Sequence, residues 1–187
     1  MNDKNIQIEV EWRALLTEQE YKRIFNILSA KAQDLGDDNK DVWFYVFDDK
    51  LLKVCNNVSK RTAKIVYKSG KIHHGPLKEI EININPREFD QAARLFSLLG
   101  AKSIMRSFQK RHNYLLKGVE IALKYSDHWN YHLEMEIVVD NSEKIVEAEK
   151  KIFQTAQELN VTLMTNEEIK NFTDKFESEF CSVLDSI

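Results

Sequence analysis

The chain has 187 residues, 43% of them hydrophobic and 30% charged, with a formal net charge of -3. This is enough apolar material for the core of one domain over 1–187. No apolar run approaches the ~18–20 residues that a spanning helix needs, so no membrane partner is expected. An isoelectric point near 6.0 argues against duplex nucleic acid, whose binders carry a high pI and a continuous basic face.

The opening Met1-Asn2-Asp3-Lys4-Asn5 lacks the basic-then-apolar order of a secretory signal. The two cysteines, Cys55 and Cys181, have no metal-ligand spacing and read as free thiols. A cytoplasmic location is the expectation. In chain order, residues 6–16 alternate as a strand. Thr17 and Glu20 then form a capping box for a helix over 18–35, which Gly36 is expected to stop. Strands follow at 41–47, 51–56, 62–68 and 78–84. Asn85 and Glu88, with Pro86 at the first helical position, start a helix over 86–99 that ends at Gly100. Strands at 104–116 and 119–126 meet at a tight Lys117-Gly118 turn. A strand over 131–139 precedes two helices, 141–160 capped at Asp140/Glu143 and 166–184 capped at Thr165/Glu168, which are expected to pack on the same domain. Mainly antiparallel strands with segregated helices give an α+β class. None of the five glycines forms a Gly-rich phosphate loop.

Strand side chains alternate faces with period two. Glu9, Glu11 and Arg13 therefore share one face, and Ile8, Val10 and Trp12 the other. Glu79 and Glu81 oppose Ile80 and Ile82 in the same way. Asn130, His132, Glu134 and Glu136 oppose Leu133, Met135 and Ile137. Residues 50–74 hold seven Lys or Arg, among them Lys53, Lys64 and Lys68, and no acid. Any one such strand is explained by a solvated sheet face. Three strands of paired glutamates need more, because neighbouring like charges repel. A divalent cation relieves them, since carboxylates are the hard ligands that Mg²⁺ or Mn²⁺ prefers. Lys and Arg could then hold phosphate oxygens. His132 reads as a hydrogen-bonded, non-catalytic histidine and His73-His74 as a loop. Trp43, Phe44 and Tyr45 read as strand core or face.

Glu9-x-Glu11-x-Arg13 before a capped helix resembles the ExExK signature of the CYTH superfamily, the triphosphate tunnel metalloenzymes. That family includes class IV adenylyl cyclases, thiamine triphosphatases and inorganic triphosphatases. The resemblance runs through the chain. It continues in Leu52-Lys53-Val54-Cys55 (LRIR), Lys64–Lys68, Lys78-Glu79-Ile80-Glu81, Gln109-Lys110-Arg111 (KxR) and Tyr131-His132-Leu133-Glu134-Met135-Glu136. The segment Phe176–Leu184 resembles the terminal helix of the cyclase-like branch. The resemblance implies a closed antiparallel β-tunnel with flanking helices and a C-terminal helical segment. Alternation assigns the faces but does not close the sheet. It also implies Mg²⁺ or Mn²⁺ on Glu9, Glu11, Glu79, Glu81, Glu134 and Glu136. Phosphate falls to Arg13, Lys53, Lys64, Lys68 and Arg111, with Arg13 and Lys68 catalytic. The expected partner is a small-molecule triphosphate, hydrolysed or cyclised; the alternative is a triphosphate-binding module without turnover. A homodimer is compatible with this plan, though no specific signal marks one. The chain departs from the pattern at Arg13 (for Lys), Cys55 (for Arg), Gln109 (for Lys) and Lys124 (for an acid).

Overall fold

The computed structural model describes residues 7–69 and 75–180. Strand β1 (Gln7–Leu15) leads into helix α1 (Glu18–Lys31). Four short strands follow: β2 (Gln33–Asp37), β3 (Lys40–Val46), β4 (Lys50–Asn57) and β5 (Thr62–Ser69). After β6 (Gly75–Ile84) comes a 3-10 turn, Pro86–Glu88, and helix α2 (Phe89–Ser97). The long β7 (Ser103–Leu116) forms a hairpin with β8 (Val119–Ser126), and β9 (Asn130–Val139) completes the sheet. A second 3-10 turn, Ser142–Lys144, opens α3 (Ile145–Glu158), and α4 (Asn166–Phe180) comes last.

All strand pairs are antiparallel, in the order β2-β7-β3-β4-β5-β6-β1-β9-β8. A further β7–β8 pairing joins the ends, so the sheet closes into a tunnel with β2 outside the ring. The length of β7 makes this possible. Its first half pairs with β3, from Val46↔Ser103 to Lys40↔Gln109, and its second half pairs with β8, from Gln109↔Ser126 to Leu116↔Val119. The hairpin turn has positive φ at both Lys117 (53°) and Gly118 (82°), the conformation that matches the strand twist.

The outer face of the tunnel is apolar and lies under helices. Val10, Ala14, Leu133, Met135, Ile121 and Leu123 pack with Ile24 and Leu28 of α1 and Ile152 of α3, all fully or almost fully buried. Each of these Val, Leu, Ile and Met side chains contributes about 1.5–3 kcal/mol. A second outer cluster packs Tyr45 and Val54 against Phe89 of α2, and the Tyr45 hydroxyl donates to the Ala93 carbonyl of the same helix at 2.7 Å. Ile80 and Ile82 also face outward, and among the described residues they are 40% and 59% exposed.

The capping boxes at Thr17/Glu20 and Asn85/Glu88 form, and Thr165 and Glu168 bond reciprocally as well. Two local expectations are corrected. The first helix ends at Lys31, and residues 33–37 form β2 along β7, with a register shift between Asp34 and Gly36. Gly36, at φ 82°, serves that irregularity and not a helix end. The cap before α3 is Asn141, which accepts from the Glu143 amide, while Asp140 pairs with Lys144. The His73-His74 loop, Cys181 and the side chains of the terminal segment from 176 lie outside the described residues. Among the described residues no helix is long and apolar enough to cross a membrane.

Candidate functional site

The outer face takes the apolar half of each strand, so the polar half turns into the tunnel. There it lines one cavity of about 780 Å³, with acidic and basic side chains in equal number. Every site residue expected from the sequence lies on this wall: Glu9, Glu11 and Arg13 from β1, Lys53 from β4, Lys64 and Lys68 from β5, Glu79 and Glu81 from β6, Arg111 from β7, and Glu134 and Glu136 from β9. A small apolar patch of Val42, Phe44, Cys55 and Val66 interrupts the charge on the β3–β5 side. Cys55 is a free, buried thiol whose pKa burial pushes up.

Three ion networks organise the lumen. The first centres on Lys68, 5% exposed, whose ammonium contacts Glu9, Glu79 (2.9 Å) and Glu11 (3.5 Å). Burial would lower its pKa, but the charges of Glu11, Glu9 and Glu79 hold it well above the usual lysine range. The second centres on Glu134. It meets Lys124 at 2.9 Å, Arg13 Nε at 3.2 Å and Arg111 at 3.4 Å. Burial would raise this carboxyl, yet Lys124, Arg13 and Arg111 hold it well below the carboxylate range. Arg13 also pairs with Glu11, and its Nη1 is buried without a hydrogen-bond partner.

The third network is built on Asp38, 4% exposed, between β2 and β3. It accepts from Asn57 at 2.6 Å and pairs with Lys40 and Lys60 at 2.8 Å and with Arg111 at 3.4 Å. Burial works against its charge, but Lys40, Lys60 and Arg111 drive its pKa down. The backbone amide of Asp38 donates to the Arg111 carbonyl at 2.8 Å, which carries the β2–β7 ladder on to the site. Sequence reasoning missed Asp38, Lys40 and Lys60. They sit in or beside turns, where alternation gives no face. Lys124 and Glu120 were within reach, since their strand alternates and both line the cavity.

Among the described residues of the lumen, two groups make no ion pair with an opposite charge. Glu136 lies opposite Glu11 in the β1–β9 register. Burial, then Glu9 and Glu11, push its pKa well above the carboxylate range. On the other side, Lys53 makes no ion pair among the described residues. Burial, with Lys68 next, lowers its pKa. Nearby Lys64 is held by Glu81. Lys124 is lowered to about 8, by burial first, and His132 to about 3, by burial and then Lys124. His132 is 3% exposed and faces the lumen as a neutral ring, its Nδ1 2.9 Å from the Asn130 carbonyl. Among the described residues no three Asp, Glu, His or Cys side chains are drawn into ligating geometry. Glu9, Glu11, Glu79, Glu81 and Glu134 are taken up by the cations above, and among the described residues Glu136 is not. Their chemistry still fits a hard divalent ion, because Glu9, Glu11 and Glu136 form a carboxylate cluster with too little positive charge.

The CYTH domain profile matches residues 7–168. The chain belongs to the CYTH family. No match to a curated protein sequence was found. Among solved structures, it is similar to the PH1819 protein of Pyrococcus horikoshii OT3, with 20% identity, a TM-score of 0.71 and coverage of 89% of this chain and 99% of that one. It is similar to the PH1012 protein of the same organism, with 24% identity, a TM-score of 0.63 and coverage of 82% and 91%. A third likeness is to an adenylyl cyclase candidate from Hippeastrum with a dominant triphosphatase activity, at 12% identity, a TM-score of 0.59 and coverage of 84% and 89%. At these identities the likenesses show a shared fold alone.

Proposed function

We propose that this CYTH chain binds a small-molecule triphosphate together with Mg²⁺ or Mn²⁺ in its tunnel and cleaves the phosphate chain. The observation that carries the reading is the pair of uncompensated groups in one lumen. Glu136 is a carboxylate set opposite the Glu11 carboxylate, and Lys53 is a half-buried ammonium that makes no ion pair among the described residues. A ligand that brings a cation and a polyanion together satisfies both.

The roles follow from charge and position. Glu9, Glu11 and Glu136 would hold the ion, with Glu79 and Glu81 extending the acidic wall. When bound, the ion supplies positive charge to the phosphate oxygens. Lys53, Lys64 and Arg111 would orient the phosphates. Lys68 now does for Glu9, Glu11 and Glu79 what a cation would do, so it becomes available to the substrate once those acids are otherwise neutralised. Arg13 stays protonated at any working pH, so it contributes fixed positive charge to the transition state and takes no proton. Phosphoryl transfer asks for positioning and electrostatics more than for covalent chemistry. Hydrolysis of the terminal phosphate is the reaction these residues support most directly, and the triphosphatase activity of the Hippeastrum neighbour agrees. Cyclisation of ATP would use the same walls. A binder without turnover is favoured by one observation, the inert thiol of Cys55 where the family strand carries an arginine.

Incubation of the protein with inorganic triphosphate, ATP or thiamine triphosphate and Mg²⁺ or Mn²⁺ tests this. Released phosphate is expected. Cyclic AMP would move the assignment to cyclisation, and tight binding without product would move it to the binder. Failure to bind any triphosphate would remove the proposal.

A further inference from the structure

Glu134 and Glu136 lie two residues apart on the same face of β9, about 7 Å along the strand, yet their surroundings are opposite. Glu136 stands against Glu11. Glu134 is surrounded by the ammonium of Lys124 and the guanidinium groups of Arg13 and Arg111, at 2.9, 3.2 and 3.4 Å. A carboxylate has about four lone-pair sites, and three cations already use Glu134. A divalent ion brought to the same oxygens would meet those cations within a few ångströms.

The three cations are not spent on Glu134. Lys124, 4% exposed, has Glu134 as its one ion pair among the described residues. An ammonium carries three donors, so capacity remains. Arg13 is 8% exposed and lines the cavity, and its Nη1 is buried with no acceptor. That donor is unmet in the wall, so Arg13 has capacity for a further acceptor oxygen. Arg111 is shared with Asp38 at 3.4 Å and Glu120 at 3.6 Å, which fixes its place on the wall.

We propose that Arg13, Lys124 and Arg111, gathered on Glu134, form a phosphate-oxygen subsite, and that the divalent ion is confined to the Glu9–Glu11–Glu136 side. Glu134 is then a positioning residue for three cations and not a metal ligand. Lys124 joins the phosphate-binding set at a position where the family pattern carries an acid. This inference rests on the triphosphate-and-metal reading above and assigns its two charges to separate walls.

Two titrations test it without turnover. Calorimetry of Mn²⁺ into the protein should give one ion per chain. Glu136→Gln should weaken that affinity by roughly tenfold or more, the loss that follows removal of a group holding a metal site together. Glu134→Gln should change it by less than about threefold, which is under 1 kcal/mol. Inorganic triphosphate, titrated in EDTA, should bind Lys124→Met roughly tenfold or more weakly, the worth of one charged hydrogen bond, and Lys124→Arg should restore it. Two Mn²⁺ per chain overturns the inference, as does an equal loss from Glu134→Gln and Glu136→Gln, or a Lys124→Met protein with unchanged triphosphate affinity. If Glu134→Gln does not fold, the wild-type stoichiometry and the Lys124 pair decide alone. A wild-type protein that binds neither Mn²⁺ nor triphosphate removes the proposed function itself. One that binds both, but with two ions, removes only this inference.

Discussion

At Glu136 the tunnel sets a carboxylate among carboxylates, and the sign of its effect on stability can be worked out. Its folded pKa is raised by burial, Glu9 and Glu11. As pH rises through the ordinary carboxylate value, the unfolded chain releases its proton while the fold retains one. The fold loses stability over that interval and does not regain it at higher pH. Glu136→Gln removes the loss. In EDTA near neutral pH the variant should melt higher by about 2–4 °C, the shift that 1 kcal/mol gives in a chain of this size. A lower melting temperature would contradict the crowding. Lys68 has the opposite role, as the ammonium common to Glu9, Glu11 and Glu79. Lys68→Met leaves three acids together in the wall. Breaking a buried ion set typically costs about 3–5 kcal/mol, so urea unfolding should show a loss of that order. A loss below about 1 kcal/mol, the scale of an exposed pair, would mean the acids are already solvated.

Strand β2 is held by a switchable contact. The two ring nitrogens of His112 in β7 lie 2.7 Å from Asp37 and 2.8 Å from Asp34, so both can donate only when the ring is protonated. Burial opposes the charge, but the bonds to Asp37 and Asp34 raise the histidine pKa above 6.5. A raised folded pKa gives stabilisation that is complete below pH 6.5 and is lost as pH rises through the folded value. Amide exchange across residues 33–37 should therefore speed up beyond its intrinsic pH dependence between mildly acidic and alkaline buffer. His112→Gln should abolish that excess, and an excess that survives the substitution would rule the contact out. Helix α1 depends on a more local device, the Thr17/Glu20 box. Thr17→Ala should lower stability by about 1 kcal/mol in chemical denaturation. The contrast explains what could be read from the sequence. Caps and turns are set by neighbours within a few residues, so Thr17/Glu20, Asn85/Glu88 and Lys117-Gly118 were legible. Strand β2 was not. Its polar run Gln33-Asp34-Leu35-Gly36-Asp37 carries the glycine that reads as a helix stop, and its partner Tyr114 is far along the chain. Asp38, which continues that strand into the lumen, was missed with it.

In the molecule as a whole, the usual distribution of a small barrel is reversed, with apolar residues outside under helices and charge inside. Period-two alternation was sufficient to set Glu9, Glu79 and Glu134 on the polar face of their strands, because the other face of each was unmistakably apolar. It could not say that the face was the inside of a ring, nor which acid would meet which base. Those depend on β7 pairing with β3 over one half and β8 over the other, a register that no local pattern encodes. Once closed, the ring makes the two kinds of ligand interdependent. A cation on Glu9, Glu11 and Glu136 would compete with Lys68 for the oxygens of Glu9 and Glu11. A polyanion on Lys53, Lys64 and Arg111 draws Lys68 the other way. Either ligand alone would disturb the ion pairs of Lys64 or Lys68, and both together would replace them. Coupling between two sites is reciprocal, and a ligand at 100 times its Kd stabilises by about 2.7 kcal/mol. Mn²⁺ and a slowly cleaved triphosphate analogue should therefore each raise the melting temperature, and together raise it by more than the sum. In Lys68→Met, where the shared ammonium is gone, the excess over additivity should shrink. Strictly additive shifts in the wild type would mean that the acidic and basic walls act separately, and that Lys68 does not pass between them.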